Sequence, residues 1–167
     1  SCYATCSVSE TGENSSVGGL VGYNGGTLTG CYATGSVTGT ERVGGLVGEN
    51  DGRVFGNFWD TQTSGWTTSA GGTGKTTAEM MMLSTFIDAG WDFVGETANG
   101  MNDYWLMCVD GVDYPRLAWE NQPPLSNAGA EQTVYAWIDG FADVTLDGSD
   151  SNDADGDELT YKWTWTI

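Results

Sequence analysis

Up to residue 62 the apolar positions fall in short bursts separated by glycine, asparagine, serine and threonine, and the bursts recur. Cys2-Tyr3-Ala4-Thr5-Cys6-Ser7-Val8 returns as Cys31-Tyr32-Ala33-Thr34-Gly35-Ser36-Val37. Val17-Gly18-Gly19-Leu20-Val21-Gly22 returns as Val43-Gly44-Gly45-Leu46-Val47-Gly48, and Asn24-Gly25-Gly26 as Asn50-Asp51-Gly52. A third copy begins at Asn57-Phe58 and dissolves. The offset is 29 residues for the first block and 26 for the second, so the length variation sits in the loop between Val8 and Val17. Self-similarity at this period means stacked units, each too small to bury its own apolar face. Each unit reads as three extended segments, in the second copy Cys31–Val37, Val43–Glu49 and Arg53–Phe55. Dense glycine would weaken an isolated strand, but it suits corners and close backbone approach. Asn24-Gly25 and Asp51-Gly52 are turn dipeptides. A coil of three strands with corners therefore accounts for the unit, giving a parallel β-helix. In-register stacking places Tyr3, Tyr32 and Phe58 in one aromatic ladder, with Leu20 and Leu46 in an aliphatic ladder beside it.

Beyond residue 62 the pattern changes. Gly71-Gly72-Thr73-Gly74-Lys75-Thr76 invites a phosphate-loop reading, but Ser69 stands where the leading glycine belongs and no apolar strand precedes it. The structural reading is stronger. Thr76 caps a helix, Glu79 completes a capping box, and Gly90 stops the helix after residues 78–88. Met80, Leu83 and Ile87 share one face, widened by Met82 and Phe86, which marks a core stripe. Short aromatic strand-like pieces follow at Trp91–Val94, Tyr104–Val109 and Tyr114–Leu117. Gln122-Pro123-Pro124 reads as a linker. After it, Thr133–Ala136, Ala142–Leu146 and Leu159–Ile167 alternate. In the last of these Tyr161, Trp163 and Trp165 share a face, the pattern of a half-buried strand.

Composition sharpens the class. The chain has 167 residues, 23 acidic and five basic side chains, no histidine, and a net charge of −18. That charge repels nucleic acid and anionic membranes. Eight tryptophans and seven tyrosines exclude a disordered chain, and no apolar run approaches membrane-spanning length. The cysteines, Cys2, Cys6, Cys31 and Cys108, form no zinc pattern. Cys2 and Cys31 are repeat-equivalent and belong one above the other. A stack of small buried thiols is the first reading, with a Cys2–Cys6 or Cys2–Cys31 disulfide as the alternative. Scattered acids and five cations supply no catalytic constellation, so the chain reads as non-enzymatic.

The Val-Gly-Gly-Leu-Val-Gly core followed by Cys-Tyr-Ala-Thr-Gly-Ser-Val resembles the GLUG-motif repeat of bacterial secreted and surface proteins, departing only at Cys6, where the second copy has Gly35. Residues 71–120 resemble the segment that follows such repeats, which implies a cap over the end of the stack. Asn127-Ala128-Gly129, Val144–Ser149, Ser151–Asp157 and Leu159–Trp163 together resemble the opening strands of a PKD-type immunoglobulin-like domain. The expected class is thus all-β: β-solenoid coils over 1–62, a capping segment over 63–121 with one short helix near 77–89, and a partial Ig-like β-sandwich over 122–167. Half a sandwich lacks a partner sheet, and two coils are few for a solenoid. The expectation is a section of something longer or a subunit completed by neighbours.

These resemblances imply an extracellular or cell-surface bacterial scaffold or adhesive module that self-associates or joins neighbouring domains of the same protein. Two further readings accompany it. Trp59, Trp66 and Trp137 lie in loops and could stack on surface glycans, against core packing for each. A fragment of a β-helix polysaccharide-degrading enzyme is the weaker one. Asp147, Asp150, Asp153, Asp155 and Asp157 crowd into eleven residues. Calcium takes several oxygen ligands in irregular geometry, but the EF-hand spacing fails, and a solvated turn is the alternative.

Overall fold

The computed structural model describes residues 1–12, 14–120, 124–132, 144–153 and 158–164. The chain forms two compact units, Ser1–Glu120 and Asn121–Ile167. The first is all-β in class, with many short strands and few, short helices.

Five strands make the first repeat copy: β1 (Cys2–Ala4), β2 (Val8–Ser9), β3 (Val17–Gly18), β4 (Val21–Asn24) and β5 (Thr27–Thr29). Five more make the second: β6 (Cys31–Ala33), β7 (Val37–Thr38), β8 (Val43–Gly44), β9 (Val47–Asn50) and β10 (Arg53–Phe55). Each strand of the first copy pairs in parallel with its equivalent in the second. The register is the repeat itself: Tyr3 opposite Tyr32, Val8 opposite Val37, Val17 opposite Val43, Val21 opposite Val47, Leu28 opposite Val54. The third copy supplies β11 (Phe58–Asp60), which places Phe58 against Tyr32 and Trp59 against Ala33. After a short helix α1 (Thr61–Ser64), strand β12 (Thr73–Lys75) pairs under β11 and completes a four-stranded parallel sheet in the order β1-β6-β11-β12.

Of the three extended segments expected per unit, Arg53–Phe55 is one strand, while Cys31–Val37 and Val43–Glu49 are each broken into two, giving five short strands. The break after β6 has a visible cause. A side chain on Gly35 would place its Cβ 1.8 Å from the Cys6 carbonyl oxygen, so the two copies touch backbone to backbone at this corner. Such contact needs glycine and ends the straight run.

Polar side chains tie the layers together at the turns. Asn24 Nδ2 donates to Asn50 Oδ1 at 2.7 Å, and each of these asparagines accepts the N–H two residues on, from Gly26 and Gly52. Asn57 is buried and accounts for three backbone groups. Its Oδ1 accepts the Cys31 N–H, and its Nδ2 donates to the carbonyls of Leu28 and Phe55, each at 2.8 Å. Buried backbone groups at corners must find such partners.

Two apolar cores lie on opposite faces of the four-stranded sheet. Ala33, Leu46, Val47 and Trp59 fill the inside of the repeat, with Leu20 and Leu28 against them. Tyr32 and Phe58 point the other way, into a cluster with Met80, Phe86, Trp91, Phe93 and Trp105. The aromatic and aliphatic ladders are therefore not side by side. Tyr3 and Tyr32 stack at 5.2 Å with rings 6° from parallel. Trp105 reaches both rings, and Phe86 meets Phe58 edge-on. The segment after residue 62 first continues beneath the second copy, where Gly45 donates to the Thr68 carbonyl, Ala70 donates to the Val47 carbonyl and β12 pairs with β11, and then packs along the flank of the sheet against Tyr32 and Phe58.

That segment contains α2 (Thr77–Met80) and α3 (Leu83–Ile87) where one helix was expected. The Thr76–Glu79 capping box is present. The helix breaks at Met81-Met82, where Met82 turns extended and becomes the N-cap of α3. Met80 and Phe86 are fully buried, whereas Met82 is exposed and does not widen the face. The glycine-rich run resembling a phosphate loop is strand β12 and its approach. Lys75 pairs with Glu79 at 3.5 Å. Strands β13 (Trp105–Leu106) and β14 (Arg116–Leu117) form an antiparallel pair. Asp60, wholly buried, ties the flank to the sheet. One carboxylate oxygen accepts N–H groups of Gln62 and Thr63 at the start of α1, the other the hydroxyls of Thr77 and Tyr114. Burial, reinforced by Asp60, pushes the Tyr114 hydroxyl up to about 12.

In the second unit, Leu125 and Asn152 form an antiparallel bridge with both backbone bonds made. Residues 133–136 of the expected sandwich lie outside the described residues. Residues 144–146 and 158–164 carry no regular strand, and Tyr161 and Trp163 are exposed. Residues 165–167 of the half-buried strand expected there, with Trp165, lie outside the described residues, and residues 159–164 are not in a strand.

Candidate functional site

Two features of the first unit can meet another molecule. One is the outer edge of the first repeat copy. Among the described residues, β1 to β5 each have a strand partner on one side only. Their other side presents a row of backbone donors and acceptors in five short pieces around the same layer, the arrangement through which β-structures add strands. On this edge Cys2 is exposed and Cys31 beneath it is buried, with 3.3 Å between their sulfurs. Burial, with the Cys2 contact second, pushes the Cys31 thiol up to about 11. The cysteines are thiols here, and only the lower of the two repeat-equivalent ones is buried.

The other feature is an open cleft of about 860 Å³ where the flanking segment meets the turn after β10. Its floor is Trp91 and Trp105, whose rings lie 4.5 Å apart. Asp92 forms a wall and is 6% exposed. Its Oδ2 accepts the Asn102 N–H at 2.8 Å, while its Oδ1 has no partner. The Trp105 indole N–H also lacks a partner. Tyr104 and Trp119 stand at the rim, 53% and 75% exposed. None of these residues was singled out from the sequence as a site. Only the density of aromatic and Asn/Asp positions between 91 and 119 hinted at one, and the same density fits a core.

The residues singled out from the sequence fall elsewhere. Trp59 is buried inside the repeat and offers no ring face to a sugar; its indole donates to the Trp66 carbonyl at 2.9 Å. Trp66 is half-buried and donates to the Val37 carbonyl at 2.8 Å. Both serve the lower end of the repeat interior, so core packing prevails for them. Trp137 lies outside the described residues, as do Asp155 and Asp157. Asp147 and Asp150 are exposed. Asp147 accepts the Ser149 N–H at 2.9 Å, which holds its carboxyl below the usual range. That is the geometry of a solvated Asx turn. Among the described residues no three acidic, cysteine or histidine side chains converge on a metal position.

Residues 13–38 match the family described as the GLUG motif. The matched residues run from the loop before β3 through β7, so the GLUG motif comprises the last three strands of one copy and the first two of the next. It is the segment in which one layer hands over to another. A glycine-rich protein of Evansella cellulosilytica, named as a membrane protein, is 35% identical over 107 residues, covering 59% of this chain. The chain spans 11% of that relative's length. No solved structure matches the chain closely. Among the described residues no helix is long and apolar enough to cross a membrane.

Proposed function

We propose that the GLUG-containing unit is a short β-solenoid acting as a non-catalytic structural and adhesive module of a larger bacterial extracellular or surface protein. The observation that carries this reading is the in-register parallel pairing of every strand of the first copy with its repeat equivalent, which leaves one side of β1 to β5 unpaired. A further repeat layer, of the same polypeptide or of a second copy, continues the ladder on that side. The second unit is read as part of an immunoglobulin-like module of the PKD type.

Sedimentation velocity over a wide concentration range tests the edge. The parent chain is expected to form concentration-dependent larger species. A Ser9→Lys, Thr27→Lys double variant, which places charge on the exposed edge strands, is expected to stay monomeric. A strictly monomeric parent, or association unchanged in the variant, would remove the edge from the account.

A further inference from the structure

We infer that the cleft floored by Trp91 and Trp105 is a binding site for a neutral saccharide. The cleft lies mainly on the flanking segment, and of the edge strands only β5 reaches it, through Thr29.

The rim provides flat apolar surface. Trp119 exposes three quarters of its area and Tyr104 half, and among the described residues no hydrogen bond or ring contact engages either side chain. Exposing a large indole to water is unfavourable, and a rigid aromatic face is a low-entropy platform for a ligand that is itself flat on one side. A pyranose presents such a face through its axial C–H groups, and hydroxyls around its edge.

The walls provide polar groups of the matching kind. Asp92 is more than nine-tenths buried, and its Oδ1 is without a partner. A buried carboxylate oxygen left unpaired costs about 1–3 kcal/mol; a ligand hydroxyl relieves that cost once the carboxylate turns toward the cleft, because Oδ1 is covered as it stands. The Trp105 N–H, equally buried and unpaired, asks for an acceptor. A hydroxyl both donates and accepts. Asn102 lends its backbone N–H to Asp92 and keeps its side-chain amide for a ligand. Asp103 adds a second carboxylate at the mouth.

Charge narrows the ligand further. Asp92 and Asp103 line the cleft and no lysine or arginine does. An anionic ligand such as a uronate polymer, a phosphate or a nucleic acid would meet only like charge. An apolar side chain packed against Asp92 would return no hydrogen bond to it. A neutral, hydroxyl-rich ring satisfies both the aromatic face and the carboxylate.

Affinity electrophoresis of the full chain through gels containing a soluble neutral polysaccharide (mixed-linkage β-glucan, xylan or galactomannan) tests the site, with alginate and pectate gels alongside. The expected result is retardation by at least one neutral polymer and none by the acidic ones. Trp119→Ala and Tyr104→Ala remove rim side chains that touch little of the protein, so both are expected to keep the parent melting temperature. The Trp119 variant is expected to lose about tenfold or more in affinity, and Asp92→Asn to weaken binding as well. Should Trp119→Ala fail to fold, Tyr104→Ala carries the comparison. Passage unretarded through every neutral gel overturns the proposal, as does retardation by the acidic polymers alone. Retardation that both rim variants leave unchanged overturns it equally. None of these outcomes depends on whether the strand edge associates.

Discussion

A methyl group built onto Gly45 would sit 2.1 Å from the indole of Trp59, with the ring nitrogen at 2.2 Å. That single contact explains much of the Val-Gly-Gly-Leu-Val-Gly block. In the first two layers the inward position of the sheet is a small residue, Ala4 and Ala33. In the third layer it is Trp59. The large ring fits under Leu46 and Val47 only because Gly45 has no side chain. It is then fixed by donating to Trp66, which in turn donates to Val37. Gly45→Ala is therefore expected to destabilise the first unit by about 3 kcal/mol, the cost of overpacking a rigid ring against backbone. Urea unfolding followed by tryptophan fluorescence measures it. A loss below about 0.5 kcal/mol, the range of an ordinary surface change, would mean that the ring is not where the packing places it.

At the scale of elements, the contact to test is the sheet β1-β6-β11 against the flanking segment. Its tyrosines make it sensitive to base. Tyr32 donates to the Pro115 carbonyl, and burial pushes its hydroxyl far above the ordinary value of 10.0. Tyr114 is pushed up to about 12 by burial first and Asp60 second. Tyr3 is raised by burial, then by its bond to Glu120. All are held protonated in the folded chain, with folded values above unfolded ones. Their contribution is complete below the ordinary tyrosine value and lost as pH rises through the raised values. Melting temperature is expected to hold to about pH 10 and to fall steeply toward about pH 12. Tyr32→Phe is expected to soften that fall, and thermal melts across this range check both.

The same scale shows why some elements were legible from sequence and others were not. The repeat was legible because identical residues at fixed offsets have one economical arrangement, and Tyr3 over Tyr32 follows directly. The Thr76–Glu79 box was legible because a cap is a local hydrogen-bond pattern. The break at Met81-Met82 was not, since Met80 and Met82 both satisfy the helical stripe and only the sheet they pack on decides which is buried. Nor was the side on which the aromatic ladder faces. Alternation in a three-residue strand separates Tyr32 from Ala33 but does not say which points into the coil. Of the sugar-stacking candidates, Trp59 is folded into the repeat interior and Trp66 is half-buried, a difference that loop position in the sequence does not reveal. The cleft was hidden because Asp92, Tyr104 and Trp119 come together only through the flanking segment's tertiary path.

For the whole molecule, the central claim is that repeat copies lie one above the other in parallel register, so that residues 29 apart in sequence are neighbours in space. The free thiols of Cys2 and Cys31 report this directly. Cys2 is exposed and meets oxidant first, while Cys31 is buried beneath it with its thiol pushed up to about 11. Mild diamide oxidation of the native chain at near-neutral pH, followed by peptide mapping under non-reducing conditions, is the decisive measurement. The predicted result is a Cys2–Cys31 linked peptide as the dominant product. In denaturant the short loop between Cys2 and Cys6 should make that pair the winner instead. A native product dominated by Cys2–Cys6 or by links to Cys108, with Cys31 left as thiol, would contradict the stacked register on which the account rests.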